Sequence, residues 1–140
     1  MAQDYRDLVV WQKAMELTVC IYKLTQAFPK DEVNGLSAQM RRASVSIASN
    51  IAEGRGRLTP REFRQFLGVA QGSTYELQTQ LLVARRLGMC NEDSLRSAES
   101  LGNEVSKMLG SFIQKLSAGK KAPEPQRQLE ARSKEQGAWV

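Results

Sequence analysis

The side chains best equipped for chemistry are arginines. Residues 35–67 carry six of them, Arg41, Arg42, Arg55, Arg57, Arg61 and Arg64, against two glutamates, and no lysine. The rest of the chain is close to charge balance, apart from two excess cations after residue 116. A guanidinium offers a planar fork of donors that matches phosphate and carboxylate oxygens. This set therefore reads either as a phosphate-backbone surface or as a solvated face with salt bridges between subunits. Threaded through it is a polar row, Gln39, Arg42, Ser46, Asn50, Glu53 and Arg57. Its intervals of three and four residues place these side chains along one side of an α-helix.

The equipment for other chemistries is sparse. The sequence has no histidine, which removes the commonest general base and metal ligand. Carboxylates are scattered, with no paired or ligand-like spacing. Cys20 and Cys90 sit in apolar surroundings and read as reduced, buried thiols. No metal, cofactor or catalytic residue is expected.

An apolar row, Leu36, Met40, Ala43, Ile47 and Ile51, runs beside the polar one, with small residues (Ala43, Ser44, Ala48, Ser49, Ala52) that let another helix approach. The segment ends in Gly54-Arg55-Gly56-Arg57, a glycine stop carrying two cations, with the helix expected to end near Glu53 or Gly54. Before it, about residues 5–28 form a helix with two apolar rows, Leu8/Trp11/Met15/Thr18/Tyr22 and Val10/Ala14/Leu17/Ile21/Leu24/Phe28, ended by Pro29. Trp11 and Tyr22 read as core or interface anchors. Asp31 or Asn34 is placed to cap the second helix, about 35–54. After it, Thr59, Pro60 and Glu62 form a capping box that opens a third, about 60–87, closed by Gly88. Its apolar row carries Phe63, Phe66 or Leu67, Ala70, Ser73 or Thr74, Leu77, Leu81 and Ala84, and Gly68 and Gly72 predict close backbone approach. A second polar row on it, Ser73, Glu76 and Gln80, offers a partner to the first. Asn91 caps a fourth helix, about 92–116.

Four amphipathic segments with short connections predict an all-α, antiparallel up-down-up-down four-helix bundle over residues 1–117. Its apolar surplus points to self-assembly. Residues 118–140 are polar, with Gly119, Pro123 and Pro125, and read as a flexible tail tipped by Trp139. No segment approaches the roughly 18 apolar residues of a membrane span. The N-terminus has no signal-like pattern, so the cytoplasm is the expected compartment.

Several stretches resemble one family. YRDLVVWQKA, FPKDE, GLSAQMRRASVSIASNIAEGRGR and EFRQFLGVAQGSTYELQTQL are similar to the 23S rRNA intervening-sequence proteins, small bacterial four-helix bundles. The resemblance covers about Asp4 to Leu116. Its core is Gln39, Arg42, Ala43, Ser46, Ile47, Asn50, Ile51, Ala52, Glu53 and Gly54. That family is similar in fold to the accessory variability proteins of diversity-generating retroelements. The resemblance thus implies a ring-shaped homopentamer with a basic surface facing nucleic acid; it does not imply a catalytic activity.

The polar row then takes two readings. Gln39, Arg42, Ser46, Asn50, Glu53, Ser73 and Glu76 form a hydrogen-bonded structural network, with Arg42 paired to Glu53 or Glu76, or they line a small-molecule pocket. The first is expected. Nucleic-acid contact is expected from Arg41, Arg55, Arg57, Arg61 and Arg64. The function expected is a non-catalytic, oligomeric accessory protein that binds RNA or DNA backbone. The alternative is a scaffold that holds a partner enzyme such as a reverse transcriptase. A nuclease reading is opposed by the missing histidines.

Overall fold

A computed structural model describes residues 4–32 and 35–120, with side chains described for 4–31 and 35–117. Expectations that fall on Asn34 and on the tail beyond Lys120 lie outside the described residues. The chain forms α1 (Val9–Gln26), α2 (Leu36–Arg55), α3 (Pro60–Arg86) and α4 (Glu92–Lys120), with short 3-10 turns at Tyr5–Asp7 and Lys30–Glu32. Each helix packs on its neighbours in the cyclic order α1, α2, α3, α4, and the diagonal pairs do not meet. The all-α four-helix bundle is therefore as the periodicity predicts.

The rows at 3/4 spacing supply the core. Val10, Ala14, Leu17, Ile21, Leu24 and Phe28 of the first segment are all buried, as are Met40, Ala43, Ile47 and Ile51 of α2. Leu67, Leu77 and Leu81 of α3 and Leu95, Val105 and Leu109 of α4 complete the interior. Each of these Val, Leu, Ile, Phe or Met side chains contributes about 1.5–3 kcal/mol by leaving water. The row Leu8, Trp11, Met15, Thr18 and Tyr22 follows only in part: Leu8 is buried and Trp11 and Thr18 are half-buried, but Met15 and Tyr22 stay exposed.

Helix ends follow local chemistry, with three corrections. The first helix does not begin at residue 5. Asp4 accepts from the Arg6 amide and closes a single turn, then Leu8 is extended (φ −73°, ψ 124°) before α1 starts. Nor does α2 use Asp31 as its cap; its N-cap is Gly35, with no side-chain bond. Gly54 is not the stop of α2 but lies buried inside it, and Gly56 is the C-cap. The box at α3 is present in modified form: Thr59 Oγ1 accepts from the Glu62 amide at 3.1 Å, and donates to Glu62 Oε1 at 3.1 Å. Gly88 (φ 63°) terminates α3, its amide donating to Arg85 O and the Met89 amide to Ala84 O. That pair of bonds is the Schellman arrangement, which needs a left-handed residue. Asn91 Oδ1 accepts from the Ser94 amide at 2.8 Å and opens α4. Among the described residues, no helix is long and apolar enough to cross a membrane.

Candidate nucleic-acid interface

The two polar rows face each other across the α2–α3 seam but only partly join. Ser46 Oγ and Ser73 Oγ are hydrogen bonded at 2.9 Å. Asn50 Nδ2 donates to Ser46 O at 2.8 Å and to Ser46 Oγ at 3.1 Å. These three make the network. The other expected members stand apart. Glu53 pairs with Arg57 at 2.9 Å on the surface, and Glu76 accepts from Gln80 Nε2 at 3.3 Å. Arg42 is exposed and pairs with neither Glu53 nor Glu76 among the described residues. With Gln39, Ser46, Ser73 and Glu76 it lines a shallow cleft of about 240 Å³. A long side chain at an outward helix position loses rotamer entropy if it is held, and a solvated pair returns little for that.

The arginines divide into two groups. Arg41 is held inward: its Nε donates to Thr25 Oγ1 at 2.9 Å, and its guanidinium lies 4.7 Å from the centroid of the Tyr22 ring. It clamps α1 to α2, a structural role that the sequence did not assign to it. Fourteen residues also separate it from Arg55, about 21 Å along the helix axis. Replacing Arg41 with alanine should lower stability by about 1–2 kcal/mol, through the lost hydrogen bond and cation–π contact, measurable by urea unfolding.

The other four gather at one end of the bundle, where α2 turns into α3. Arg57 lies 4.6 Å from the Phe66 ring centroid and Arg55 lies 6.0 Å from that of Phe63. Phe63 in turn meets Phe112 of α4 edge-on at 5.2 Å. Arg61 and Arg64, on the first turns of α3, are exposed and have no polar partner among the described residues. Two guanidiniums are thus steadied on aromatic rings, while two others are free. Sequence reasoning missed the rings. The signal was there in Phe63 and Phe66, three residues apart just after the arginine-glycine turn.

Gly54 makes this end possible. A Cβ built there would stand 2.5 Å from Phe66 Cβ and 3.3 Å from the Phe63 carbonyl oxygen. Only glycine lets α2 and α3 approach so closely, and that approach brings Phe66 under Arg57. By contrast, Gly68 and Gly72, expected to mediate close approach, are exposed, and none of the described residues comes within 4 Å of an added Cβ.

The remaining polar side chains serve the scaffold. Arg85 bridges Glu92 and Glu99, tying the end of α3 to α4. Lys13 reaches Glu16 and Glu104, each at 3.6 Å, between α1 and α4. Burial pushes the Cys20 and Cys90 thiols above their usual range, against a smaller opposing pull from Lys23 and Arg85 respectively. Both thiols are therefore protonated and weakly nucleophilic at neutral pH.

Residues 6–111 match the family model described as 23S rRNA-intervening sequence protein. A crystal structure of a protein of unknown function from the S23 ribosomal protein family of Bacteroides thetaiotaomicron is similar, with 26% identity and a TM-score of 0.68. The similarity covers 75% of this chain and 98% of that one. No functionally curated protein matches.

Proposed function

The chain belongs to the 23S rRNA-intervening sequence protein family, and from that premise we propose that it is a non-catalytic, oligomeric accessory protein that grips the backbone of RNA or DNA. The grip is made by Arg55, Arg57, Arg61 and Arg64. One observation carries this reading: four cations converge at the α2–α3 turn, with Arg61 and Arg64 unpaired and Arg57 and Arg55 set over Phe66 and Phe63. Like charges crowded at one end of a bundle repel one another, so an anionic partner that neutralises them gains from every contact. The Arg57–Glu53 pair is solvent-exposed and worth little, so phosphate can displace it. Phe63 is buried in the core and Phe66 is half covered by helix packing, so the rings steady cations rather than stack bases. Recognition is accordingly by charge and shape, without base specificity.

A ring of identical copies, five as the resemblance implies, would repeat the cluster around an axis and let one nucleic acid meet several clusters. The lack of histidine supports a role without catalysis.

The test is a salt titration of binding to structured RNA and to duplex DNA. A steep fall of log K with log salt is expected, shallower by about one unit per arginine removed at positions 61 and 64. Arg41→Ala should leave the slope unchanged. Binding absent at low salt, or a slope indifferent to Arg61 and Arg64, overturns the proposal.

A further inference from the structure

The outward face of α3 is poor in charge. Between Arg61 and Arg64 at one end and Arg86 at the other, Gly68, Gly72, Tyr75, Thr79 and Leu82 follow at intervals of three and four residues, all exposed. Tyr75 and Leu82 are 55% and 51% accessible, and Val69 and Val83 flank them at 54% and 41%. The two glycines each cost about 1 kcal/mol of helix propensity relative to alanine. Among the described residues, nothing uses the space they leave.

A second apolar surface lies on the diagonally opposite helix. α1 and α4 enclose a groove of about 700 Å³, with Met15, Val19, Leu24 and Leu101 along it and the half-buried Cys20 and Cys90 beside them. Lys23 on its rim has no acidic partner among the described residues, and Glu76 at the edge of the α3 face has no basic one.

We infer that the α3 ridge of one copy seats in the α1–α4 groove of the next. This rests on the ring assembly proposed above and names its two surfaces. The occupant is a second copy for three reasons. The ridge is a helix, the shape an elongated groove between two helices accepts. Gly68 and Gly72 remove side chains where the ridge must sink deepest. The charges without an ionic partner among the described residues are complementary, Lys23 on the groove and Glu76 at the edge of the α3 face. Because the two surfaces differ and lie on opposite sides of the bundle, the contact is heterologous, and repetition closes a ring when the rotation between copies allows it.

Cys20 supplies a native reporter inside the groove. Gly68→Cys, Gly72→Cys and Thr79→Cys place a thiol at three depths along the ridge. Each full-length variant is oxidised at mildly alkaline pH and run on a non-reducing gel, alongside the mass of the unmodified protein by light scattering. At least one variant should give a ladder of linked chains beyond the dimer. Combining it with Cys20→Ser and Cys90→Ser should abolish the ladder. Leu82→Lys, at a position exposed in the single chain, should keep the helical signal and thermal transition but shift the mass to one chain. An oligomeric mass without any ladder overturns the inference while leaving the ring reading in place. Links that survive loss of both groove cysteines show that α3 meets α3, and also overturn it. A single-chain mass for the unmodified protein overturns both, and leaves the groove to a different protein.

Discussion

Gly54→Ala is expected to lower the stability of the chain by about 2 kcal/mol and its Tm by roughly 8 °C. One methyl group does this because of where it lands. The new Cβ would overlap Phe66 Cβ at 2.5 Å, with Phe63 Cδ1 at 3.1 Å and the Phe63 carbonyl oxygen at 3.3 Å. A Cβ cannot turn away as a side-chain end can; it moves only with its helix. α2 and α3 must therefore separate where they pack most closely. Overpacking of that kind costs about 3 kcal/mol at the upper end of its range, and the better helix propensity of alanine returns about 1. Gly68→Ala is the contrast: with open space around it, the substitution should stabilise the single chain by about 1 kcal/mol. Thermal melts followed by circular dichroism compare the two. A Gly54→Ala protein as stable as the original would mean that the seam tolerates separation, and that Phe66 is not locked under Arg57.

The second large effect is on binding. Replacing Arg57, Arg61 and Arg64 together with glutamine is expected to weaken duplex binding about 500-fold at 0.1 M salt, or ~3.7 kcal/mol. Each phosphate contact contributes about 0.9 to the slope of log K against log salt, so three contacts contribute about 2.7. If binding at 1 M salt is unaltered, one decade of dilution multiplies the difference by about 10 to the power 2.7. The loss should be the same on unrelated sequences, because backbone contacts carry no base information. Fluorescence anisotropy over a salt series reads both numbers. A loss confined to one sequence would point to base contacts, and a loss independent of salt to a change in fold.

Much of the scaffold is legible in the sequence. The row Met40, Ala43, Ile47 and Ile51 is buried as its spacing requires, and Thr59 and Asn91 cap the helices they precede. These features depend on neighbours within a turn or two, which the sequence lists in order. What was illegible depends on how two helices are phased against each other. Gly54, Gly68 and Gly72 are alike as residues. Only the α2–α3 packing decides that the first is wedged against Phe66 and the other two face open space. Arg41 read as a surface cation because its partners, Thr25 and Tyr22, come from another helix. Arg42 and Glu76 line one cleft without pairing, since proximity on facing rows does not ensure contact.

The neighbour-only packing of the bundle has a kinetic consequence. α2 and α3 are joined by only four residues, 56–59, and they form the most extensive helix pair. Loop closure is inexpensive there, so this hairpin is the natural nucleus from which the chain condenses. α1 and α4, which meet only across nearly the whole chain, close last. Damage at Gly54 should then appear mainly as slower folding, with a φ-value above one half, whereas loosening the Lys13–Glu104 bridge should mainly hasten unfolding. The seam that shapes the arginine-bearing end would thus be the first part of the molecule to exist.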